Sequence, residues 1–185
     1  MSLNRLPVTT RSLLIRQFVR EDAGDVLILS NEETSRTWLP SQVYRDHAHA
    51  ASVLEFLIAQ YSTPANPRHG PYVLAIEHRT DRRLIGHVGL SPLEDDVEIG
   101  FAIGQSYQGQ GFATEAIVAA SRWAFQMFGL DRILGITSAA NLASKRALVR
   151  AHFAHQEDKV MRFQGTERSV SVYALSANSG AERGA

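Results

Sequence analysis

Three short stretches near the middle of the chain are strand-like, at about Tyr72 to Glu77, Arg83 to Leu90 and Asp96 to Ile103, the last alternating large apolar residues with small or polar ones. Side chains on a strand point alternately to its two faces, so the pattern predicts three strands. Arg79-Thr80-Asp81-Arg82 and Ser91-Pro92-Leu93-Glu94-Asp95 between them have turn composition, which makes the group an antiparallel meander. Upstream, Leu13, Leu14, Ile15 and Phe18 predict a first strand, and Arg20 to Ala23 leads into a helix carrying Val26, Leu27 and Leu29. Residues 31–46 keep neither period and read as irregular. A second helix is expected from about His47 to Tyr61, where Ala51, Leu54, Leu57 and Ile58 fall at helical spacing, with Pro64, Pro67 and Gly70 ending it.

After the meander the helical period is at its strongest from Gly111 to Phe128. Ala113, Ala116, Ile117, Ala120, Ala124 and Met127 form one stripe, and Gly129 stands just past the end. So many alanines let this helix lie close against a sheet. A strand at Arg132 to Thr137, a helix from about Ala140 to Ala151, and strands near Ala154 to Met161 and Arg168 to Leu175 complete the order βααβββαβαββ. The expected fold is α+β: a central, mostly antiparallel mixed sheet of about seven strands flanked by about four helices. No repeat or linker divides the chain, so one domain is expected over 1–185, with its core at about 10–175. Met1-Ser2-Leu3 and the small, polar tail 176–185 have nothing to bury and are left outside that core.

Composition narrows the function classes. The 185 residues are 44% hydrophobic and 21% charged, ordinary for a folded domain. Lys plus Arg and Asp plus Glu number 19 each, and this balance argues against a phosphate-tracking surface and hence against nucleic-acid binding. No apolar run approaches the roughly 20 residues that span a bilayer, and Arg5, Arg11, Arg16 and Arg20 interrupt the start of the chain, so a cytoplasmic protein without membrane attachment is expected. The absence of cysteine excludes disulfides, thiolate metal sites and a cysteine nucleophile. The histidines at 47, 49, 69, 78, 152 and 155 have no metal-ligand spacing, and no metal is expected.

Candidate chemistry begins at Gln108-Gly109-Gln110-Gly111-Phe112-Ala113-Thr114, between a strand and the strongest helix. The first N–H groups of a helix lack intrahelical partners and lie at the positive end of its dipole, and glycines admit a close ligand, so the segment suits a diphosphate. A P-loop would need Gly-Lys-Ser/Thr where Gly111 is followed by Phe112 and Ala113. A dinucleotide fingerprint would need a small residue at Thr114 and a βαβ unit around it.

Gln108-x-x-Gly111-x-Ala113 resembles the Q/R-x-x-G-x-G/A cofactor motif of the GNAT acetyltransferases. The run from Gly109 to Ala116 is similar to that of their branch containing ribosomal-protein-alanine N-acetyltransferases, and Asn141-Leu142-Ala143-Ser144 resembles that branch's N-x-x-S element. The resemblance covers residues 10–175 and implies a GNAT-like fold with acetyl-CoA as cosubstrate. It further implies contacts to that cosubstrate from Phe101, Ala102 and Ile103, from Gln108, Gly109, Gln110, Gly111, Phe112, Ala113 and Thr114, and from Asn141, Ser144 and Lys145. The implied acceptor is a primary amine, on a protein N-terminus or a small molecule, and the implied assembly a monomer or homodimer. A non-catalytic acyl-CoA-binding module is the alternative. Two departures stand out: Leu148 where many members carry a tyrosine, and His152-Phe153 where the family usually has Gly-Phe.

The strand before the turn sets Val97, Ile99, Phe101 and Ile103 on one face and Glu98, Gly100 and Ala102 on the other. Glu98 beside two small residues reads either as a catalytic base for the ammonium group or as a solvated strand glutamate. Pairing Leu90 with Val97 and Val88 with Ile99 puts Gly89 opposite Glu98 and His87 opposite Gly100, so His87 shares the face of Glu98 and reads either as a substrate contact, as an aid to deprotonation or as a structural histidine. Ser144, with Asn141 beside it, is either a proton donor to the leaving thiolate or a positioning group. Trp38 and Tyr44, in the irregular 31–46 segment, are expected to flank the amine. Arg146 reads as a solvated helix charge.

Overall fold

The computed structural model describes residues 6–62 and 65–177. Residues 1–3, Pro64 and residues 178–185, about which the sequence carries expectations, lie outside the described residues.

Eight strands form one sheet in the order β1-β2-β3-β4-β5-β6-β8-β7. They are β1 Val8–Thr9, β2 Leu13–Arg16, β3 Tyr72–His78, β4 Arg83–Leu93, β5 Asp96–Ile103, β6 Arg132–Ser138, β7 Ala154–Phe163 and β8 Thr166–Ser176. Every neighbouring pair is antiparallel except β5 and β6, which run parallel. Five helices accompany them: α1 Ala23–Ser30, α2 Glu33–Trp38, α3 His47–Gln60, α4 Phe112–Phe128 and α5 Leu142–Arg150. The α+β class stands, with one more strand and one more helix than the pattern predicts.

Each difference has a local cause. β1 is two residues long, too short to display a period. α2 has six residues and no apolar stripe, and a helix this short is marginal by itself. It is held from outside: Ser35 Oγ donates to Leu29 O at 2.7 Å, and Asn31 Nδ2 donates to Tyr44 O at 2.8 Å. β4 runs on to Leu93, through Pro92, although the sequence places a turn from Ser91. β3 pairs with β4 only as far as Leu90, so beyond it β4 has an open edge on which the missing N–H of Pro92 costs nothing. Ser176 ends β8 instead of beginning a tail.

The two faces of the sheet bury different clusters. On one, α4 lays Ala116, Ile117, Ala120 and Ala124 against Leu13, Ile15, Leu74, Val88, Leu90, Val97 and Ile99, with α5 beside it contributing Ala147 and Leu148. On the other, α1 and α3 enclose Phe18, Ala23, Leu54, Ala75 and Leu84. Glu115 ties α4 to the start of the sheet, accepting from Thr10 Oγ1 at 2.6 Å and Ser12 N–H at 2.7 Å.

Candidate active site

β5 follows β4 along its whole length but meets β6 at one register position, Glu98 beside Leu134. Below that point Arg132 Nε donates to Asp96 Oδ1 at 2.7 Å and clamps the two strand starts together. Above it the strands part, so backbone edge groups of β5 from Gly100 to Ile103 and of β6 from Ile136 to Ser138 face a cavity of about 820 Å³. The cavity passes from the turn before α4, through this split, to the space beneath α1 and α3.

The turn is braced from within. Gln105 N–H donates to the Glu32 carboxylate at 2.6 Å, the Gln108 amide donates to Ile103 O at 2.8 Å and Thr34 Oγ1 at 3.3 Å, and the Gln110 amide donates to Ser106 O at 3.2 Å. The two glutamines that sequence assigns to the cosubstrate therefore spend their side chains on the loop. Gly109 and Gly111 have φ of 74° and 90°, in the left-handed region that glycine tolerates, and a Cβ on either would meet nothing within 4 Å. The first helical bond of α4 runs from Glu115 N–H to Gly111 O at 3.0 Å, and no side chain caps the helix. This leaves the N–H groups of Phe112, Ala113 and Thr114 unpartnered, and those of Gly109, Gln110 and Gly111 bond to nothing among the described residues. Such a run of donors at a helix start is an anion cradle. The Phe112 ring turns away into the core, 5.1 Å from the His78 ring, so only the backbone of that residue faces the cradle.

Glu98 stands on the cavity wall at the last paired position before the split. No group among the described residues hydrogen-bonds to its carboxylate, and burial pushes its pKa above the ordinary value. The register differs from expectation by two residues: Ser91 is opposite Glu98, Gly89 opposite Gly100, and His87 opposite Ala102. A shift of two preserves faces, so His87 lies on the wall with Glu98 but four ladder positions away, roughly 13 Å at ~3.3 Å per residue. The extended β4, with its tighter Glu94-Asp95 turn, accounts for the shift. Burial lowers the His87 pKa to about 4, so the imidazole is neutral near pH 7.

Asn141 caps α5, its Oδ1 accepting from Ser144 N–H at 3.1 Å, and both side chains border the cavity. Lys145 does not. The helical period turns it toward Asp158, whose carboxyl is held below the usual range by hydrogen bonds from Ser171 and His155, with Lys145 adding a lesser charge attraction, while Arg146 and Arg150 occupy the cavity wall. Arg146, which reads from sequence as a solvated charge, stands on the cavity wall, and its spacing of four from Arg150 was the available signal.

Trp38 and Tyr44 both line the cavity, at its end beneath α1 and α3. The Tyr44 ring sits edge-on to His49 at 5.4 Å, and its N–H donates to Ser30 Oγ at 3.2 Å. From the far end of the chain, Gln164 at the β7–β8 turn accepts a hydrogen bond from Ser41 Oγ, joining that hairpin to the segment after α2. No local pattern marks His49 or Gln164 as site residues.

Residues 12–154 match the Acetyltransferase (GNAT) domain family. The chain belongs to the GNAT acetyltransferases. Over 174 residues the enzyme is 30% identical to an uncharacterised N-acetyltransferase of Bacillus subtilis, YoaA, covering 90% of this chain and 94% of that protein. A second from the same organism, YnaD, is 27% identical over 143 residues, 76% of this chain and 78% of that one. In fold the enzyme is similar to the ribosomal-protein-S5-alanine acetyltransferase of Vibrio fischeri, with a TM-score of 0.77 at 16% identity, covering 95% of this chain and 98% of the other. It is also similar to Mycobacterium smegmatis RimJ in complex with CoA-disulfide, at 0.74 and 17%, covering 90% and 82%. The enzyme is an acetyl-CoA-dependent N-acetyltransferase, with acetyl-CoA as cosubstrate.

Both departures from the family pattern have a structural account. Leu148 is fully buried against Gly135, where a Cβ would come within 2.6 Å of Leu148 Cδ2, so that position carries packing in place of a hydroxyl. His152 takes φ 69°, the left-handed conformation suited to the missing glycine. His152 N–H donates to Val149 O and Phe153 N–H to Leu148 O, each at 3.0 Å, and Phe153 and Leu148 are both buried, which completes a Schellman ending for α5. The loop keeps its geometry at the cost of backbone strain.

Proposed function

We propose that the enzyme acetylates a primary amine by direct attack on the acetyl thioester, with Glu98 removing the ammonium proton. One observation carries this reading: an unpaired, desolvated carboxylate at the point where β5 leaves β6. A carboxylate with a raised pKa is a stronger base than an ordinary one.

The thioester supplies the activated acyl carbon and a leaving thiolate. The chain's own part is to hold and align. The unpartnered N–H groups of Gly109 to Thr114 fit a diphosphate, and the open edges of β5 and β6 fit the amides of an extended arm. A backbone N–H of the β5 edge polarises the reacting carbonyl. Asn141 holds the start of α5, and Ser144 positions the sulfur end of the cosubstrate. With Leu148 in the core no dedicated acid is needed, because a thiolate whose thiol pKa is about 8.5 leaves readily near neutral pH. Protein N-terminal amines and small-molecule amines both meet this chemistry, which we place in the cytoplasm.

The test is Glu98→Gln, followed by CoA release and by the thermal shift on adding acetyl-CoA. Turnover should fall by ~10²- to 10⁴-fold with the shift retained. Near wild-type turnover between pH 6 and 9 would falsify the assignment of Glu98.

A further inference from the structure

The acceptor end of the cavity lies on the α1–α3 face of the sheet. Its wall is largely apolar, with Leu29 of α1, Val53 and Leu57 of α3, Val73 of β3, and the rings of Trp38 and Tyr44 toward the outside. Among the described residues Glu98 is the only carboxylate on the entire cavity wall. His87, deep on the same side, adds no charge near neutral pH. The two arginines of the wall, Arg146 and Arg150, belong to α5, which packs with α4 on the opposite face.

Charge decides which amines this space admits. A polyamine or aminoglycoside brings a second ammonium group, and a buried cation without a partner is strongly disfavoured. Glu98 answers one cation and nothing answers another. Nor, among the described residues, does the acceptor face carry a lysine or arginine for a carboxylate next to the amine. The Ser41–Gln164 bond joins the β7–β8 hairpin to the segment after α2 where both residues line the cavity, which favours a compact occupant over a polypeptide.

We propose that the acceptor is a small monocationic amine with an aromatic or branched apolar body, of the arylalkylamine class, its ammonium at Glu98 and its body against Leu57, Val53 and Trp38. This rests on the transferase reading with Glu98 as base.

The experiment compares 2-phenylethylamine, spermidine and a hexapeptide with an N-terminal alanine. Binding is measured by calorimetry on the CoA complex, and kcat/KM by CoA release with acetyl-CoA. 2-Phenylethylamine should bind the CoA complex and exceed the other two in kcat/KM by at least ~30-fold, the scale on which an apolar pocket discriminates. Leu57→Ala should lower its kcat/KM by ~10-fold without changing the acetyl-CoA thermal shift, and Val53→Ala provides a second, milder truncation. Preference for spermidine or the peptide, or indifference to both truncations, overturns the acceptor class. If Glu98→Gln still abolishes turnover of that preferred amine, the transferase reading survives and only the acceptor class falls. If none of the three is acetylated while acetyl-CoA still raises Tm, the acceptor class falls.

Discussion

Replacing Gly100 with valine separates folding from reaction. Gly100 lies on the face of Glu98, paired with Gly89, and a Cβ built on it meets no heavy atom within 4 Å. Its φ is outside the left-handed region, so a side chain brings no backbone strain. A strand glycine costs about 0.5–1 kcal/mol relative to alanine, and a β-branched residue suits a strand better still. The free variant should therefore be more stable by about that amount. In a chain of 185 residues this corresponds to a Tm rise of about 1–4 °C. The added isopropyl group then fills the space next to Glu98 through which, in the proposed mechanism, the amine passes. Reacting atoms need to come within about 3–3.5 Å, and a misplacement of ~1 Å already costs ~10²-fold. We expect kcat/KM for the amine to drop at least ~100-fold, with the acetyl-CoA thermal shift intact because the donors from Gly109 to Thr114 are untouched. Scanning calorimetry with and without acetyl-CoA, together with CoA release, measures all three quantities. A lowered Tm would mean that the space at Gly100 is not open, and near wild-type turnover would mean that the amine does not approach along this face. Gly111 is a poorer place for the test, since at φ 90° any side chain strains the turn and confuses lost folding with lost binding.

Glu98 also makes a stability prediction with a definite sign. Its folded pKa is raised by burial, so its ionisation opposes folding: the penalty is absent below the ordinary carboxylate range and grows as pH rises through the folded value. Glu98→Gln should thus melt higher than the parent at pH 7, the difference vanishing near pH 4; a gap that persists there contradicts desolvation as the cause. Asn141→Ala removes the α5 cap and should cost ~1 kcal/mol, or about 2–4 °C in Tm, whereas Ser144→Ala should leave Tm unchanged and lower acetyl-CoA affinity and single-turnover rate together. A rate loss at unchanged affinity would instead make Ser144 a proton donor. His152→Gly should relieve the left-handed strain and raise Tm by about 2–8 °C, from ~1–2 kcal/mol, without altering turnover; a lower Tm would show that the imidazole contributes more than its backbone costs.

Local pattern decided the elements whose period is long enough to repeat. The stripe from Ala116 to Ala124, the alternation from Val97 to Ile103 and the doubly glycine-marked turn at Gly109 and Gly111 each announced an element, and their order led to the α+β class. The faces followed too: period two kept Glu98, Gly100, Ala102 and His87 on one side even though the pairing lay two residues from its expected place. Register depends on how far β4 runs before it turns, and that depended on an open edge beyond Leu90, which no local signal encodes. The six residues of α2 are helical because Leu29 and Tyr44 anchor the segment around them, and β1 exists because β2 offers it an edge. The site divides in the same way. Sequence singled out the glycine-marked turn, Glu98 and the Asn141–Ser144 pair by local pattern, and all of them border the cavity. Only the tertiary structure brought Arg146 and Arg150 to the wall, desolvated His87 until it lost its charge, and set Gln164 against Ser41. Those outcomes come from contacts between residues distant in the chain, formed when the sheet splits between β5 and β6 and the helices close over the gap.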